Sequence, residues 1–347
     1  MHVKFRNVNA AFRGVVSRVA RGEIATVERS SRNGTVLRID EPVIVTYHKP
    51  WERVLFSPVR DCNPFFHLYE SLWMLAGRND VEPLAYYNSN IDNYSDDGKT
   101  FHGAYGHRWR RWFSFDQLKL ITEELKTNHD SRRVVLGMWD SREDLLRAIE
   151  GGKDVPCNTH AYFEIKDGLL EMTVCNRSND LVWGMFGANV VHFSFLQEYL
   201  AGRLGVDIGN YHQFTNNLHI YKNRWEPEKY LDLLKLDHYS INPMRPIKLV
   251  GLFDGVKPAT ESVMIDLEIE SFVDEMHGAS LGLTGNKWHM PFLRNVAHPM
   301  MKAFYHHKER DYDKALWNVN NVFSEDWKID AKRWILKRRC LWMKKQK

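Results

Sequence analysis

The sequence has few of the features that mark several protein classes. Its 347 residues include only four cysteines and no Cys-x-x-Cys pair, so we expect neither a disulfide framework nor a metal site. No run reaches the roughly 20 apolar residues that cross a bilayer. The first residues, MHVKFRNVNA, lack the apolar stretch of a secretory signal. We therefore expect a cytoplasmic protein that does not contact membranes.

A large excess of one charge is also missing. The chain has 48 basic and 44 acidic residues. Its last sixteen residues, KRWILKRRCLWMKKQK, contain eight Lys or Arg and no acid, which leaves 40 basic residues against 44 acidic ones elsewhere. A uniformly basic nucleic-acid surface is not indicated, and we do not expect nucleic acid as a partner. For the basic end, a solvated helix face is favoured over an anion-binding surface.

One apolar helix in the first third of the chain contains a carboxylate. Asn63 and Pro64 are typical of a helix start and Gly77 of a helix end, and they bracket an apolar stretch that includes Glu70. A carboxylate on an apolar face needs a partner or a function. Ser114 and Gln117 have the spacing of a capping box, which predicts a second helix after them.

Alternating apolar residues predict several strands. A short β-branched run covers residues 133–138. The runs THAYFEI and LLEMTVC flank Lys166-Asp167-Gly168, which predicts a β-hairpin. Cys157 then lies just before the first strand of the hairpin and Arg177 just after the second. The run VMIDLEIESF, residues 263–272, is interpreted as a further strand.

Helical periodicity dominates elsewhere. Apolar residues recur at helical spacing over residues 189–204, and Gly205 follows as a stop signal. A helical stretch is expected beyond Tyr221, and a mostly helical tail from about Pro299. The chain shows no internal repeat and no low-complexity linker. These elements predict an α+β fold in which a mixed sheet is covered by helices, followed by a mostly helical C-terminal extension.

Four motifs identify a family. A lone cysteine such as Cys157 is more often a small buried apolar residue than a nucleophile. Here, however, CNTHAYFEI, NRSND, GANVVHFSFLQEYLA and NNLHIY follow one another in an order and spacing that resemble the thymidylate synthase family, which includes the pyrimidine nucleotide hydroxymethylases. The resemblance extends from about Phe12 to Tyr221 and more weakly to Phe272. It implies a catalytic domain over residues 1–272 and a helical extension over residues 273–347.

The resemblance assigns roles to individual residues. Cys157, after Pro156, corresponds to the family's nucleophile, and Glu70 and Tyr105 correspond to catalytic residues. Asp180 and Ile91 fall at folate-binding positions. The positions that bind the nucleotide are Arg32, Arg132, Arg133, Arg177, Ser178, Asn189, His219 and Tyr221.

Elementary chemistry agrees with these assignments. A nucleotide phosphate carries nearly two negative charges, and the planar fork of arginine binds it through paired hydrogen bonds. The resulting positive potential favours the reactive thiolate form of Cys157. For any one arginine alone, a surface ion pair would be the simpler explanation. In the family, the pair matching Arg132 and Arg133 is contributed across a dimer interface, which implies a homodimer with shared active sites.

The reaction implied by the resemblance has two possible ends. Cys157 adds to C6 of the pyrimidine, and C5 then attacks the one-carbon unit of 5,10-methylenetetrahydrofolate. Loss of the C5 proton and of tetrahydrofolate leaves an exocyclic methylene. Hydride transfer would give a methyl group and dihydrofolate, whereas water would give a hydroxymethyl group and tetrahydrofolate. Glu70 would order the proton relay to the base, a general acid/base role.

Departures from the thymidylate synthase pattern favour uracil and water. The stretch from Gly184 to Asn189 is one residue longer than in the family, and we align Asn189 with the family's base-reading Asn, which suits uracil, whereas the cytosine-specific relatives have Asp. Ile91 and Tyr94 occupy positions where tryptophans are expected, and Asn158 stands where the family has His.

Two further departures point the same way. Asp154 adds a carboxylate three residues before Cys157 that could activate water or be a loop surface charge. The short apolar tail that closes the family's site is replaced by a long basic one, and hydride transfer needs a dry site. We therefore expect conversion of dUMP to 5-hydroxymethyl-dUMP, and a phage source. A divergent thymidylate synthase, a (d)CMP hydroxymethylase and an inactive RNA-binding family member stay as alternatives.

Overall fold

The computed structural model describes residues 1–234, 258–278, 281, 285 and 287–346. The chain divides into two compact units, each made from three segments. The sheet unit comprises Met1–Cys62, Asp116–Ile149 and Pro156–Pro243. The helical unit comprises Asn63–Phe115, Glu150–Val155 and Met244–Lys347.

Strands and helices are numbered along the chain. The strands are β1 His2–Phe5, β2 Thr26–Ser31, β3 Gly34–Ile39, β4 Val43–Tyr47, β5 Val135–Gly137, β6 Asn158–Lys166, β7 Leu169–Asn176, β8 Asn179–Asp180, β9 Asp207–Thr215 and β10 Leu218–Tyr221. The α-helices are α1 Val8–Ala20, α2 Pro64–Leu75, α3 Glu82–Tyr87, α4 Tyr105–Arg110, α5 Gln117–Thr127, α6 Asp144–Ile149, α7 Asn189–Leu204, α8 Pro227–Leu234, α9 Pro258–Glu275, α10 His298–Lys308, α11 Tyr312–Asn320 and α12 Glu325–Lys345. Short 3-10 segments cover Ile91–Tyr94 and Lys222–Arg224, and π-helical segments cover Leu181–Ala188 and Leu293–Ala297.

The strands of the sheet unit form two sheets. The larger has the order β1-β4-β9-β7-β6-β5, and the smaller has the order β2-β3-β10-β8. In the larger sheet β1 pairs with β4 and β7 pairs with β9 in parallel, whereas the other neighbours are antiparallel. The predicted mixed sheet and α+β class are confirmed.

The core of the sheet unit lies between the larger sheet and α7. The predicted helix is confirmed over its full length, and it ends at Gly205, whose φ of 72° is the left-handed conformation that glycine adopts readily. The Phe193 ring lies 6.5 Å from that of Tyr211 on β9. Gln197 Nε2 donates to the backbone oxygen of Leu170 on β7 at 2.8 Å. Because these contacts join one helix to two strands, α7 fixes the sheet from one side.

The predicted hairpin is confirmed as β6 and β7. Its turn has Asp167 at φ 51° and Gly168 at φ 75°, which matches the type I′ turns that suit the twist of a hairpin. The strand predicted over residues 133–138 is also present, although only Val135–Gly137 pairs with β6.

In the helical unit, α2 forms as predicted and is buried along its whole length. The side-chain oxygen of Asn63 accepts hydrogen bonds from the backbone N–H groups of Phe65 and Phe66, which caps the helix. The Phe65 ring lies 5.4 Å from that of Phe304 on α10, and the Tyr69 hydroxyl donates to the Val273 backbone oxygen on α9 at 2.6 Å. Aromatic contacts therefore hold α2 in the centre of this unit.

The strand predicted for residues 263–272 is wrong, because this run lies inside α9. Ile265 and Ile269 are 2% and 1% exposed, whereas Val263 and Leu267 are 58% and 59% exposed. In a strand, residues two positions apart share one face, so all four of these side chains would lie on the same side. Here the residues four apart share a face, one pair buried and the other exposed, as in a helix. The alternation of apolar and acidic residues concealed this helical period.

The predicted capping residue of α5 is also wrong. The helix forms, but Asp116 caps it by accepting from the backbone N–H of Lys119 at 3.1 Å. Ser114 adopts φ 66° two residues earlier and lies outside the cap. Asp116 directly precedes the first helical residue, so its carboxylate reaches the free N–H groups of the first turn.

The tail forms the predicted helices α10, α11 and α12. The basic end lies on α12, where Trp334 and Ile335 are buried and Lys332, Lys337 and Lys344 are exposed, in agreement with a solvated helix face. Among the residues described, no helix is both long enough and apolar enough to cross a bilayer. The domain boundary predicted after residue 272 lies within α9 and stays a prediction.

The two faces of α9 give a direct test of its helical state. Ile269→Ala should lower the free energy of unfolding by about 2–5 kcal/mol, because it leaves a cavity in a buried site. The matched control Leu267→Ala should change it by about 0.5 kcal/mol or less, since this side chain is exposed. Urea unfolding of both variants measures the difference, and equal losses would contradict the helix.

Candidate active site

The β6–β7 hairpin brings the predicted nucleophile next to an arginine. Cys157 precedes β6 and Arg177 follows β7, and the Arg177 backbone N–H donates to the Cys157 carbonyl at 2.9 Å. Arg177 Nε donates to the Pro156 carbonyl at 2.8 Å, which turns the guanidinium so that Nη2 lies 3.8 Å from Cys157 Sγ. The thiol is partly exposed. A fixed positive charge beside an accessible sulfur favours the thiolate, the form that acts as a nucleophile.

The smaller sheet holds a histidine and a carboxylate as neighbours. His219 on β10 pairs in parallel register with Asp180 on β8. Burial lowers the pKa of His219, and the Asp180 carboxylate raises it only in part. His219 is therefore neutral at pH 7 and can both donate and accept a hydrogen bond. This is the hydrogen-bonding capacity that binding a sugar hydroxyl needs.

Tyr221 connects β10 to the turn that carries Arg32. Its ring lies 5.4 Å from that of His219. Its hydroxyl accepts a hydrogen bond from Asn33 Nδ2 at 3.5 Å. Arg32 and Asn33 form the exposed turn between β2 and β3. The predicted phosphate arginine and the predicted sugar residues thus belong to the same small sheet.

The extra residue predicted between Gly184 and Asn189 lies in a π-helical segment. The backbone N–H of Asn189 donates to the Gly184 carbonyl, five residues back. This hydrogen bond spans one residue more than the corresponding bond of an α-helix. Asp180 caps the segment by accepting from the backbone N–H groups of Val182 and Trp183 at 2.7 and 2.6 Å. A wider turn at this place is what the predicted insertion before Asn189 requires.

Arg132 and Arg133 lie in the exposed stretch that leads to β5, and Ser178 is half-buried between β7 and β8. Their backbone places them in the sheet unit with Cys157. Exposure of both arginines is compatible with contacts to a phosphate or to a second copy of the chain, and their assigned roles stay predictions.

Four predicted residues belong to the helical unit. Glu70 lies in the middle of α2 and is buried. Tyr105 is the first residue of α4, and Ile91 begins the 3-10 segment. Asp154 Oδ2 accepts from the Gly103 backbone N–H at 2.9 Å. Asp154 thus positions the loop just before Tyr105, and its predicted role in activating water stays a prediction.

Sequence reasoning missed two groups in the sheet unit. Asn176, Gln213 and Thr215 form a buried polar row on neighbouring strands β7 and β9, and the polar sequence NYHQFT was the available signal. Arg60 donates from Nε to the Val182 carbonyl at 2.8 Å, and its guanidinium lies 4.5 Å from the centre of the Trp183 ring. No local pattern in the sequence pointed to this arginine.

The contact between Asp180 and His219 predicts a titration. Asp180→Asn keeps a side-chain oxygen for the cap but removes the charge that favours protonated His219, so the pKa of His219 should fall further below its ordinary value. NMR titration of the imidazole Cε1–H measures this. His160, whose pKa is lowered by burial alone, is the internal control and should not move. An unchanged His219 would show that the carboxylate does not act on it.

Known proteins resemble this chain in sequence. The thymidylate synthase family model matches residues 59–241. The deoxyuridylate hydroxymethyltransferase of Pseudomonas phage M6 is 44% identical over 349 aligned residues, which cover 97% of this chain and 94% of that protein. Proteins of the same name from Bacillus phage SP01 and Delftia phage PhiW-14 are 39% and 33% identical, over 58% and 50% of this chain and 54% and 50% of theirs. With a matching family model and a relative that is similar over nearly its full length, this chain is a member of the thymidylate synthase family.

Proposed function

We propose that the protein is a deoxyuridylate hydroxymethyltransferase. It transfers the one-carbon unit of 5,10-methylenetetrahydrofolate to C5 of dUMP and adds water, which gives 5-hydroxymethyl-dUMP and tetrahydrofolate. The structural observation that carries the proposal is Cys157 Sγ at 3.8 Å from Arg177 Nη2. The choice of base and of water is supported by the phage relatives, which bear this name.

The nucleotide is bound through its phosphate and its sugar. Arg177 contributes a guanidinium beside the thiol, and Arg32 and Ser178 add donors from the same unit. His219 and Tyr221 bind the sugar hydroxyl, a role supported by the neutral imidazole and by their adjacent rings. Charge-assisted hydrogen bonds to the phosphate account for much of the binding.

Covalent addition of Cys157 to C6 makes C5 nucleophilic. The negative charge of the phosphate disfavours ionisation of the Cys157 thiol. The Arg177 guanidinium offsets this effect, because it binds the phosphate and also stabilises the thiolate. Glu70 orders the proton relay to the base, and Tyr105 is a second catalytic residue. These two roles follow from the family and from the burial of Glu70 in α2.

The residues around Asp180 fit a folate. Methylenetetrahydrofolate supplies the one-carbon unit. Asp180 offers a carboxylate to the N–H groups of a pterin, and the partly exposed Trp183 ring offers a flat surface beside it. For Ile91, an apolar contact with the folate is proposed from the family position that it occupies. A flat ring system with N–H donors suits this combination of a carboxylate and an aromatic face.

Water as the last nucleophile is supported by what replaces the family's aromatic residues. Ile91 is smaller than tryptophan, and Tyr94 is 47% exposed. Asn158 is a polar, buried neighbour of Cys157. We place Asp154 as the carboxylate that activates the water, next to the loop of Gly103 that it holds.

We further propose a homodimer in which Arg132 and Arg133 of one protomer bind the phosphate in the other. Both arginines are exposed, which leaves them available to a second copy. Because the relatives named above come from bacteriophages, we also propose that the enzyme acts in the cytoplasm of a bacterial host.

Product analysis tests the proposed reaction. Purified protein is incubated with dUMP and methylenetetrahydrofolate. The mass of the nucleotide product is measured by mass spectrometry, and formation of dihydrofolate is followed by absorbance. We expect hydroxymethyl-dUMP with no dihydrofolate. Methyl product with dihydrofolate would replace the proposal by a thymidylate synthase, and turnover of dCMP alone would replace it by a cytidylate hydroxymethylase. Cys157→Ala serves as the control, since it should remove turnover and leave dUMP binding largely intact.

Subunit mixing tests the shared site. Arg133→Ala and Cys157→Ala are each expected to be nearly inactive. A mixed dimer, however, would contain one site with both Cys157 and the partner arginine intact, so mixing should restore activity to about one quarter of normal if protomers exchange at random. Differently tagged subunits verify that mixed dimers form. Verified mixed dimers without activity would exclude a shared site.

A further inference from the structure

A second asparagine lies directly behind Asn189. Asn189 Nδ2 donates to Asn179 Oδ1 at 3.1 Å, and both side chains are buried, at 8% and 4% exposed. The backbone of Asn179 is held by the smaller sheet. Its N–H donates to the Asn217 carbonyl at 2.9 Å, and Asn179 pairs with Leu218 on β10. The amide of Asn189 therefore contacts an acceptor that the smaller sheet holds in place.

This contact restricts how the Asn189 amide can be turned. One of its two N–H groups is used by Asn179, which leaves one N–H and Oδ1 for a base. A half-turn of the amide would place Oδ1 against Asn179 Oδ1, and two acceptors would then face each other without a proton. In a buried site, loss of this hydrogen bond is unfavourable. Asn179 thus selects one of two amide orientations.

Gly184 leaves the space in which the Asn179 oxygen lies. A Cβ at position 184 would be 2.1 Å from Asn179 Oδ1, so any other residue would push the oxygen away. The Asn179 oxygen faces a Cα hydrogen of Gly184. Of the two amide atoms, only the oxygen can accept a weak C–H···O hydrogen bond from it. Asn179 is therefore held with its acceptor toward Asn189, and the π-helical segment that contains Gly184 contributes to this arrangement.

We propose that Asn179 is a positioning residue that sets the preference for uracil by fixing the orientation of the Asn189 amide. The inference rests on the proposed function together with the assignment of Asn189 to the base, which the family resemblance implies. Uracil presents an acceptor at O4 and a donor at N3, whereas cytosine presents a donor at N4 and an acceptor at N3. An amide can serve either edge, but only by a half-turn, and Asn179 opposes that half-turn.

Two substitutions at position 179 separate positioning from packing. Asn179→Leu keeps the size and removes the acceptor, so the ratio of kcat/KM for dUMP to that for dCMP should fall by about tenfold, the equivalent of one hydrogen bond. Asn179→Asp keeps an acceptor in the same place, and the ratio should stay close to that of the unaltered protein. If both substitutions lower turnover of the two nucleotides by the same factor, Asn179 acts only in packing and the proposal is rejected.

A third variant covers the case in which position 179 does not tolerate leucine. Gly184→Ala leaves both asparagines in the chain and displaces the Asn179 oxygen, and it should lower the same ratio. Thermal unfolding checks that each variant is folded. An unchanged ratio in a folded Gly184→Ala protein would overturn the proposal.

Asn189→Asp distinguishes failure of this inference from failure of the proposed function. Reversal of the preference toward dCMP in Asn189→Asp shows that position 189 contacts the base. If that reversal occurs and Asn179→Leu leaves the ratio unchanged, only the role of Asn179 is rejected. If Asn189→Asp leaves the preference unchanged, the assignment of Asn189 to the base is rejected first.

Discussion

The register of the β6–β7 hairpin is the constraint on which the site depends. Cys157 and Arg177 are twenty residues apart in sequence, and they meet because each lies one residue beyond the paired ends of the hairpin at Asn158 and Asn176. A slip of one residue would turn every side chain of a strand to the other face. The tight turn at Asp167 and Gly168 sets the pairing from Lys166 and Leu169 to His160 and Cys175, and a bulge between Asn158 and His160 then shifts it by one residue. The turn and the bulge together place Cys157 next to Arg177.

The one-residue insertion predicted before α7 coincides with a local change of helix type. An extra residue in an α-helix would rotate everything after it by about 100°. The π-helical segment absorbs that residue in a wider turn, capped by Asp180 at its start and closed at Asn189 by a bond to Gly184. The helix α7 then runs from Asn189 with ordinary geometry and packs on β7 and β9. The irregular turn is confined to the eight residues Leu181–Ala188, so Asn189, the proposed base-reading residue, lies in the regular first turn of α7.

Much of the fold could be predicted, since the hairpin, α2 and α7 have local signals that agree with their tertiary surroundings. The helical state of residues 263–272 could not be predicted, because acidic and apolar residues alternate there as in a strand. Only the burial of Ile265 and Ile269 in the structure shows that the run has a helical face. From the order of motifs we predicted Cys157, Arg177 and His219 as site residues, and the structure shows that the hairpin brings the first two together. Asn179 and Arg60 could not be predicted from spacing. The partner of Arg60, Val182, is distant in sequence, and Asn179 reaches Asn189 only because the π-helical turn lies between them.

Asp180 shows why roles inferred from a family have to be separated by conservative substitutions. The same carboxylate caps the π-helical segment and raises the pKa of His219 against the effect of burial. It is also the residue that we propose to contact the folate. Removing the whole side chain would disturb the cap, and through it Asn189, before any effect on folate could be seen. An amide retains the capping oxygen and removes only the charge. Loss of folate binding in such a variant can then be assigned to the carboxylate, because the backbone that positions Asn189 is still held.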